Sequence, residues 1–331
     1  MLRFIVRRLL QLVLVAFVLS VLLFTWLKSL PGGTVSAMLG ERATPQAREA
    51  LTRALGLDQP IHVQYWSFLK RALQGDFGVS NGVQPGTPAL QVFTERFPAT
   101  IELSFFALLI AVCLALPLGY VAARRRGGVL DNLSLVGVAV PVFFLAFLLK
   151  YWFSVKWGIM PVSGRQDVSD ATRVTGFFVL DGILTREWDA SLDALKHLVL
   201  PSVALASIPF AMVFRITRAS VLDVLDEDYV RTAQSKGLSH RVIRGRHVMR
   251  NALLPVITAI GLQTGALLGG AVLTETVFNF PGIGSALAEG FTKRDYPVLQ
   301  VIILAAAAVY VLVNLVVDVL YAVVDPRVRT R

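Results

Sequence analysis

Reactive side chains are few and scattered along this chain of 331 residues. The four histidines (His62, His197, His240 and His247) are dispersed, and only the last two are close enough in sequence to be neighbours. The single cysteine, Cys113, lies among Ala and Leu, where a thiol packs as a small apolar group; alone it can form no disulfide or thiolate metal framework. The chain has no G-x-x-x-x-G-K-[ST] phosphate loop, no H-E-x-x-H and no G-x-S-x-G elbow. Acids inside apolar runs usually mark an ion or proton path, but Glu102 and Asp318 stand near the ends of theirs, where an interfacial or helix-contact role is the simpler one. By sequence, neither a catalytic centre nor a metal-ligand set is expected.

One polar stretch does carry organised chemistry: DYVRTAQSKGLSHRVIRGRHVMRNALLP, from Asp228 to Pro255. Asp226, Glu227 and Asp228 put negative charge at the positive end of a short helix, and Lys236 lies at the other end. Gly237 can take the left-handed conformation that closes it. Ser239 suits a new N-cap, and Val242, Ile243, Met249 and Leu253 give a second, loosely helical apolar face with arginines between them. The pattern predicts helix, glycine corner, helix, the second part lying at a membrane surface and turning into an apolar run at Pro255. By itself this is compatible with two roles, a lipid-anchoring hairpin or a docking surface.

The surroundings are lipid-like. The chain is 55% hydrophobic and 16% charged, against about 25% charged for a soluble domain. Six runs free of Lys, Arg, Asp and Glu are long enough to span a bilayer: Leu9–Leu27, Leu103–Ala123, Asn132–Leu149, His197–Phe214, Asn251–Thr274 and Tyr296–Val317. An even number of spans puts both termini on one side. That side would hold the N-terminus, the loop at Arg124–Arg126, the loop 215–250 and the C-terminal tail, with 17 Lys/Arg against 6 acids; the rest of the chain holds 15 against 16. Short basic loops stay cytoplasmic, so both termini are expected inside a bacterial cell membrane. The net charge of +10 therefore reads as topology and contact with anionic membrane lipid, not as nucleic-acid binding. The first run, behind Arg3, Arg7 and Arg8, is longer than a signal-peptide core and is expected to be retained.

The expected organisation is a tail and first transmembrane helix over 1–28, an extracytoplasmic insertion over 29–98, and a core of five further spans over 99–331. Within the insertion, TPQAREALTRALG predicts a helix with Thr44 as cap, Pro45 in its first turn and Gly56 as stop. PIHVQYWSFLKRALQG predicts a second, with Ile61, Tyr65, Phe68, Leu69 and Leu73 near helical spacing and Gly75 as stop; His62 on it reads as a surface residue. Further outer segments run from Val155 to Lys196 and from Glu275 to Asp295. On the fifth run, GLQTGALLGGAVLTET combines Gly261, Gly265, Gly269 and Gly270 with Gln263, Thr264 and Thr274. Small residues let helices approach closely, and amide and hydroxyl groups can line a wet path, so the three polar residues are candidates for a translocation path, with helix packing as the other role of the glycines.

The basic stretch resembles the cytoplasmic signature of ABC-importer permeases, specifically those of the dipeptide/oligopeptide/nickel family, with the pattern D-Y-[VI]-R-T-A-x-x-K-G followed by R-N-A-x-x-P-x-x-T. The match falls on Asp228, Tyr229, Val230, Arg231, Thr232, Ala233, Lys236, Gly237, Arg250, Asn251, Ala252, Pro255 and Thr258. The general importer signature begins Glu-Ala-Ala and has a shorter stretch before its Leu-Pro; Arg231-Thr232-Ala233 and the longer stretch are similar to the peptide branch. GLDQPIHVQYWSFLKRALQGDFG resembles the outer segment of the B-type permease, and MPVSG at Met160, HLVLP at His197, ETVFNFPGIG at Glu275, RDYPVLQ at Arg294 and YAVVDPRVR at Tyr321 follow in order. LPGGT at Leu30 departs from a family LPGDP at Gly33 and Thr34.

The resemblance implies an all-α integral membrane protein of the type I ABC-importer permease fold, with six transmembrane helices and a small helical extracytoplasmic insertion. It implies that Asp228, Tyr229, Arg231, Thr232, Ala233, Lys236 and Gly237 form a coupling helix that docks on a cytoplasmic ATPase. The implied partners are a second, homologous permease, two ABC ATPases and an extracytoplasmic substrate-binding protein. ATP and Mg would be bound by the ATPases, leaving this chain without catalysis, cofactor or metal of its own. The implied cargo is di- or oligopeptides, with nickel, haem, glutathione or sugar as alternatives inside the family. Outside it, an ion-coupled secondary transporter would need ionisable residues at mid-span, and a membrane enzyme a catalytic cluster at one interface.

Overall fold

A computed structural model describes residues 2–29, 35, 39, 44–54, 56–124 and 140–324. The LPGGT segment, most of the basic loop at Arg124–Arg126, the first residues of the expected third span and the C-terminal tail lie outside them, as does the side chain of Asp318.

The described chain is helical: α1 (Leu2–Ser29), α2 (Pro45–Ala54), α3 (Ile61–Leu73), α4 (Ala89–Arg124), α5 (Val142–Leu149), α6 (Phe178–Leu184), α7 (Trp188–Leu225), α8 (Asp228–Ser235), α9 (Arg250–Phe278), α10 (Ile283–Lys293) and α11 (Tyr296–Val324). A π-helical stretch, Lys150–Lys156, continues α5, and a second, Ile243–Met249, leads from a single turn at His240–Val242 into α9. Among the described residues, three helices are long and apolar enough to cross a membrane: α4, α7 and Tyr296–Leu315 of α11; His240–Leu267 and Gly269–Phe278, bent by 54°, make a fourth if taken as one broken span. These coincide with the second, fourth, sixth and fifth expected runs. The first run lies in α1, whose apolar part, Val13–Ser29, is shorter.

The chain divides into two compact units, 1–98 with 281–312, and 99–280 with 313–331. In the first, α2 and α3 form as their patterns predict. Thr44 Oγ1 accepts the Ala47 N–H at 3.3 Å, and Gly56 and Gly75 take positive φ at the two helix ends. The middle of α3 packs on α1: Tyr65 and Phe68 meet Phe24, and the Tyr65 and Ser20 hydroxyls are 2.8 Å apart. Ile61 and Leu73, expected on the same apolar face, are exposed instead, because they stand at the ends of a short helix beyond that contact. The unit is stapled by the buried Asp295, whose Oδ2 accepts Ser80 Oγ at 2.5 Å and the N–H groups of Gly82 and Val83 at 2.9 and 2.8 Å.

The second unit is built around α7. Two thirds (67%) of the most apolar window of α7 is buried, against 28% for α4. On α4, Phe105, Leu109, Leu114 and Val121 stay exposed, as do Phe143, Phe144 and Phe147 on α5. Such contiguous apolar surface suits lipid or another protein, not water. Close approach of α4 and α7 rests on Gly119, where an added Cβ would fall 2.9 Å from Thr217 Cβ and 3.0 Å from the Phe214 carbonyl oxygen.

Two boundaries differ from expectation. Helix α4 starts well before Leu103, because Ala89, Val92 and Phe93 already present a buried face in the first unit. Helix α7 runs past Phe214 to Leu225, so the first part of the expected loop 215–250 is helix, held by buried Thr217, Ser220 and Val221.

Candidate functional site

The short helix of the basic stretch forms where the charge pattern places it. Glu227 is the N-cap with extended backbone (φ −71°, ψ 141°), and its carbonyl accepts the N–H of Val230 at 3.0 Å. Asp228 stands in the first turn, near the positive end of the helix. At the other end Gly237 has φ +73°, and its N–H bonds to the Gln234 carbonyl at 2.9 Å. A Cβ at Gly237 would meet nothing within 4 Å. The glycine is therefore required by its dihedral and not by crowding.

Helix α8 is two-faced. Val230 and Ala233, one turn apart, enter a core made with Ala123, Val221, Ile243, Val248 and Ala252. Asp228, Tyr229, Arg231, Thr232, Lys236 and Gly237 are exposed. Six of the seven expected coupling residues thus share the outer surface, while Ala233 faces inward as one of the contacts holding the helix down. The Asn251 side-chain amide donates to the Tyr229 hydroxyl at 3.0 Å, tying α8 to the first turn of α9. Arg231 lies 3.9 Å from Asp228, but both are exposed, and such a pair contributes little.

After Ser239 the expected amphipathic α-helix is π-helical over Ile243–Met249. Its i→i+5 bonding places Ile243 and Val248 together in the core and leaves Val242 exposed, which the 3.6-residue period does not anticipate. The helix then continues through Pro255 without the expected turn. Gln263 and Thr264 therefore lie on the same continuous helical stretch as Asn251, which bonds to α8. On α9, Gln263 and Thr264 are half-buried, with the Thr264 hydroxyl bonded back to the Ile260 carbonyl at 2.9 Å. Gly269 and Gly270 are exposed, Gly265 is buried, and Thr274 is fully buried within the chain.

Sequence reasoning missed a buried polar cluster in the second unit. Arg165 Nη2 donates to Glu102 Oε2 at 2.6 Å and to the Gly176 carbonyl at 2.7 Å, and its guanidinium lies 3.7 Å from the Phe178 ring centroid. Glu102 Oε1 accepts the Val179 N–H at 2.9 Å. Nearby, burial would raise the Asp181 carboxyl, but hydrogen bonds from the Thr175 hydroxyl and the N–H groups of Thr175 and Gly176 outweigh it and hold it below the usual carboxylate range. Glu275, expected to begin an outer loop, lies instead in the last turns of α9, fully buried, and accepts the Thr100 hydroxyl at 2.6 Å. Glu275 and Asp295 lie in stretches that matched family motifs, so a signal existed, although their partners were not readable. Arg165 had none.

Long apolar helices and wide apolar surfaces, with a two-faced polar helix following α7, define a multi-pass membrane protein. Residues 115–330 match the family described as binding-protein-dependent transport system inner membrane component, and residues 1–104 match its N-terminal counterpart. The chain is 44% identical over 335 residues to a di/tripeptide transport system permease of Pseudomonas aeruginosa, covering 99% of each chain. It is 41% identical over 334 residues to a dipeptide transport system permease of Alkalihalophilus pseudofirmus, covering 99% of this chain and all of the relative (100%). Its fold is similar to that of a chain of the MetNI methionine ABC transporter in an inward-facing conformation, with a TM-score of 0.55 at 13% identity over 71% of this chain and 97% of the other. The protein belongs to the binding-protein-dependent transport system inner-membrane components, and is an ABC-importer permease of the B type.

Proposed function

We propose that this permease carries di- or oligopeptides, delivered from outside by a substrate-binding protein, through a path it forms with a second, homologous permease. Two ABC ATPases bind ATP and Mg and hydrolyse the nucleotide; this chain is non-catalytic. Helix α8 docks on one ATPase, and its motion reaches α9 through the shared core and the Tyr229–Asn251 bond. The observation that carries the reading is a polar outward face on a helix closed by a positive-φ glycine and anchored by Val230 and Ala233. Peptide cargo is supported by the names of relatives above 40% identity.

The assembled complex in proteoliposomes tests it. Peptide uptake should require ATP, binding protein and all four membrane-complex subunits, while the purified chain alone should turn over no nucleotide. Uptake of nickel, haem, glutathione or sugar in place of peptide would reassign the cargo. Uptake driven by an ion gradient without ATP would move the protein to the secondary transporters.

The charge distribution supports cytoplasmic termini, loop 215–250 on the same side and the segment 29–98 outside. A reporter fused after Gly78 should read as external and one after Gly237 as cytoplasmic. The same side for both would refute this topology.

A further inference from the structure

At the start of α7, one histidine is built like a metal ligand. His197 is 4% exposed, and its Nδ1 lies 2.9 Å from the Asp193 carbonyl oxygen, one turn earlier. A carbonyl can only accept, so Nδ1 donates and Nε2 is the nitrogen left for a metal. Nε2 is buried and makes no hydrogen bond. It faces Asp167 Oδ1 at 3.5 Å. Asp193 Oδ1 is 3.6 Å from Nδ1. One ligand atom from each of Asp167, Asp193 and His197 lies within 4.8 Å of the others.

The loop carrying Asp167 is held in register. Asp193 Oδ2 accepts the N–H groups of Asp167 and Val168 at 2.7 and 3.2 Å, and the Gln166 side-chain amide donates to the Ala190 carbonyl at 2.6 Å. A histidine whose second nitrogen donates to a backbone carbonyl is the arrangement that orients metal-bound imidazole and raises its basicity. The 3.5 Å between Nε2 and Asp167 Oδ1 matches the ~3.4 Å edge of a tetrahedron built on ~2.0–2.2 Å bonds. One imidazole with two carboxylates suits Zn²⁺ or a similar transition-metal ion better than Ca²⁺ or Mg²⁺, which prefer all-oxygen shells.

We propose that His197 Nε2 and Asp167 bind a divalent transition-metal ion of the Zn²⁺ class, with Asp193 orienting the Asp167 loop and available as a further ligand, so that the ion pins the loop after Arg165 to the first turns of α7. The Asp167 side chain is 81% exposed, so the ion would enter from that side and keep a position for water.

The test uses the complex in lipid nanodiscs, stripped with chelator and titrated with Zn²⁺, then with Co²⁺ as a spectroscopic probe. Wild type should bind one more Zn²⁺ per permease chain than Asp167→Asn or His197→Gln and show a tetrahedral Co²⁺ band that both variants lose. Asp167→Asn removes an exposed ligand without disturbing packing and should weaken binding by at least about tenfold, with an unchanged metal-free melting temperature. The Co²⁺ band distinguishes this site from adventitious surface binding. Equal stoichiometry and affinity in wild type and Asp167→Asn, or no Zn²⁺ bound by wild type, would overturn the proposal.

Discussion

Arg165 and Glu102, 63 residues apart in sequence, form an ion pair at 2.6 Å with both side chains at most 5% exposed. Glu102 also takes the Val179 N–H, and Arg165 also reaches the Gly176 carbonyl and the Phe178 ring, although its buried Nε makes no hydrogen bond. Charges so enclosed cost a great deal of desolvation, which the mutual attraction and these hydrogen bonds offset. Glu102→Gln would leave a buried guanidinium without its counter-charge and should cost ~3–5 kcal/mol. The double variant Glu102→Gln with Arg165→Met should cost clearly less than Glu102→Gln alone, read as thermal unfolding of the purified complex. A double variant no more stable than the single one would show that the pair is not the source of the penalty.

Gly237 closes α8, the helix proposed to couple to the ATPase. Its φ of +73° disfavours any β-branched residue, yet a side chain there meets no neighbour. Gly237→Val should therefore store ~1–3 kcal/mol of local strain and re-aim α8 without unfolding the unit. Peptide transported per ATP hydrolysed should fall, with complex assembly preserved. Arg231→Glu reverses an exposed charge and should weaken ATPase assembly, more so at low salt. Normal coupling and normal assembly in both variants would leave the stretch a lipid anchor.

Gln263 is half-buried on α9, between the buried Gly261 and Gly265. If it lines the translocation path, a cysteine at this position should react with small polar thiol reagents during turnover, in a background where Cys113 is replaced. Protection in every nucleotide state would assign it to helix packing. Thr274 is fully buried in the single chain and should react less than Gln263 in the same experiment.

Asp181 gives a pH signature. Its folded-state pKa lies below the ordinary carboxylate value, because three N–H and O–H donors outweigh burial. A depressed pKa contributes stability that is fully present above the unfolded value of about 3.9 and lost as pH falls through the folded value. Asp181→Asn should lower stability at neutral pH and flatten its fall below about pH 4. Parallel melting curves of wild type and variant across that range would contradict this assignment.

Local chemistry made much of the molecule legible from sequence. Helix α8 is readable because three acids, Lys236 and Gly237 lie within a dozen residues, close enough for charge and backbone preference to act without tertiary help. The same holds for α2 between Thr44 and Gly56, and for the apolar runs within α4 and α7, where an uninterrupted span leaves lipid as the consistent solvent. Residue type and period could not reveal which polar groups would meet. Arg165 reads as a loop residue until packing carries it to Glu102, and His197 as an isolated histidine until the loop at Asp167 folds over it. Only the i,i+4 spacing of Asp193 and His197 was visible beforehand. The π turn at Ile243–Met249 and the inward aim of Ala233 were also tertiary outcomes, selected by a core drawn from four separate parts of the chain. Hydropathy and propensity average over neighbours along the sequence, whereas a buried charge, a buried imidazole or a changed helical period is stabilised by neighbours that only the folded chain supplies.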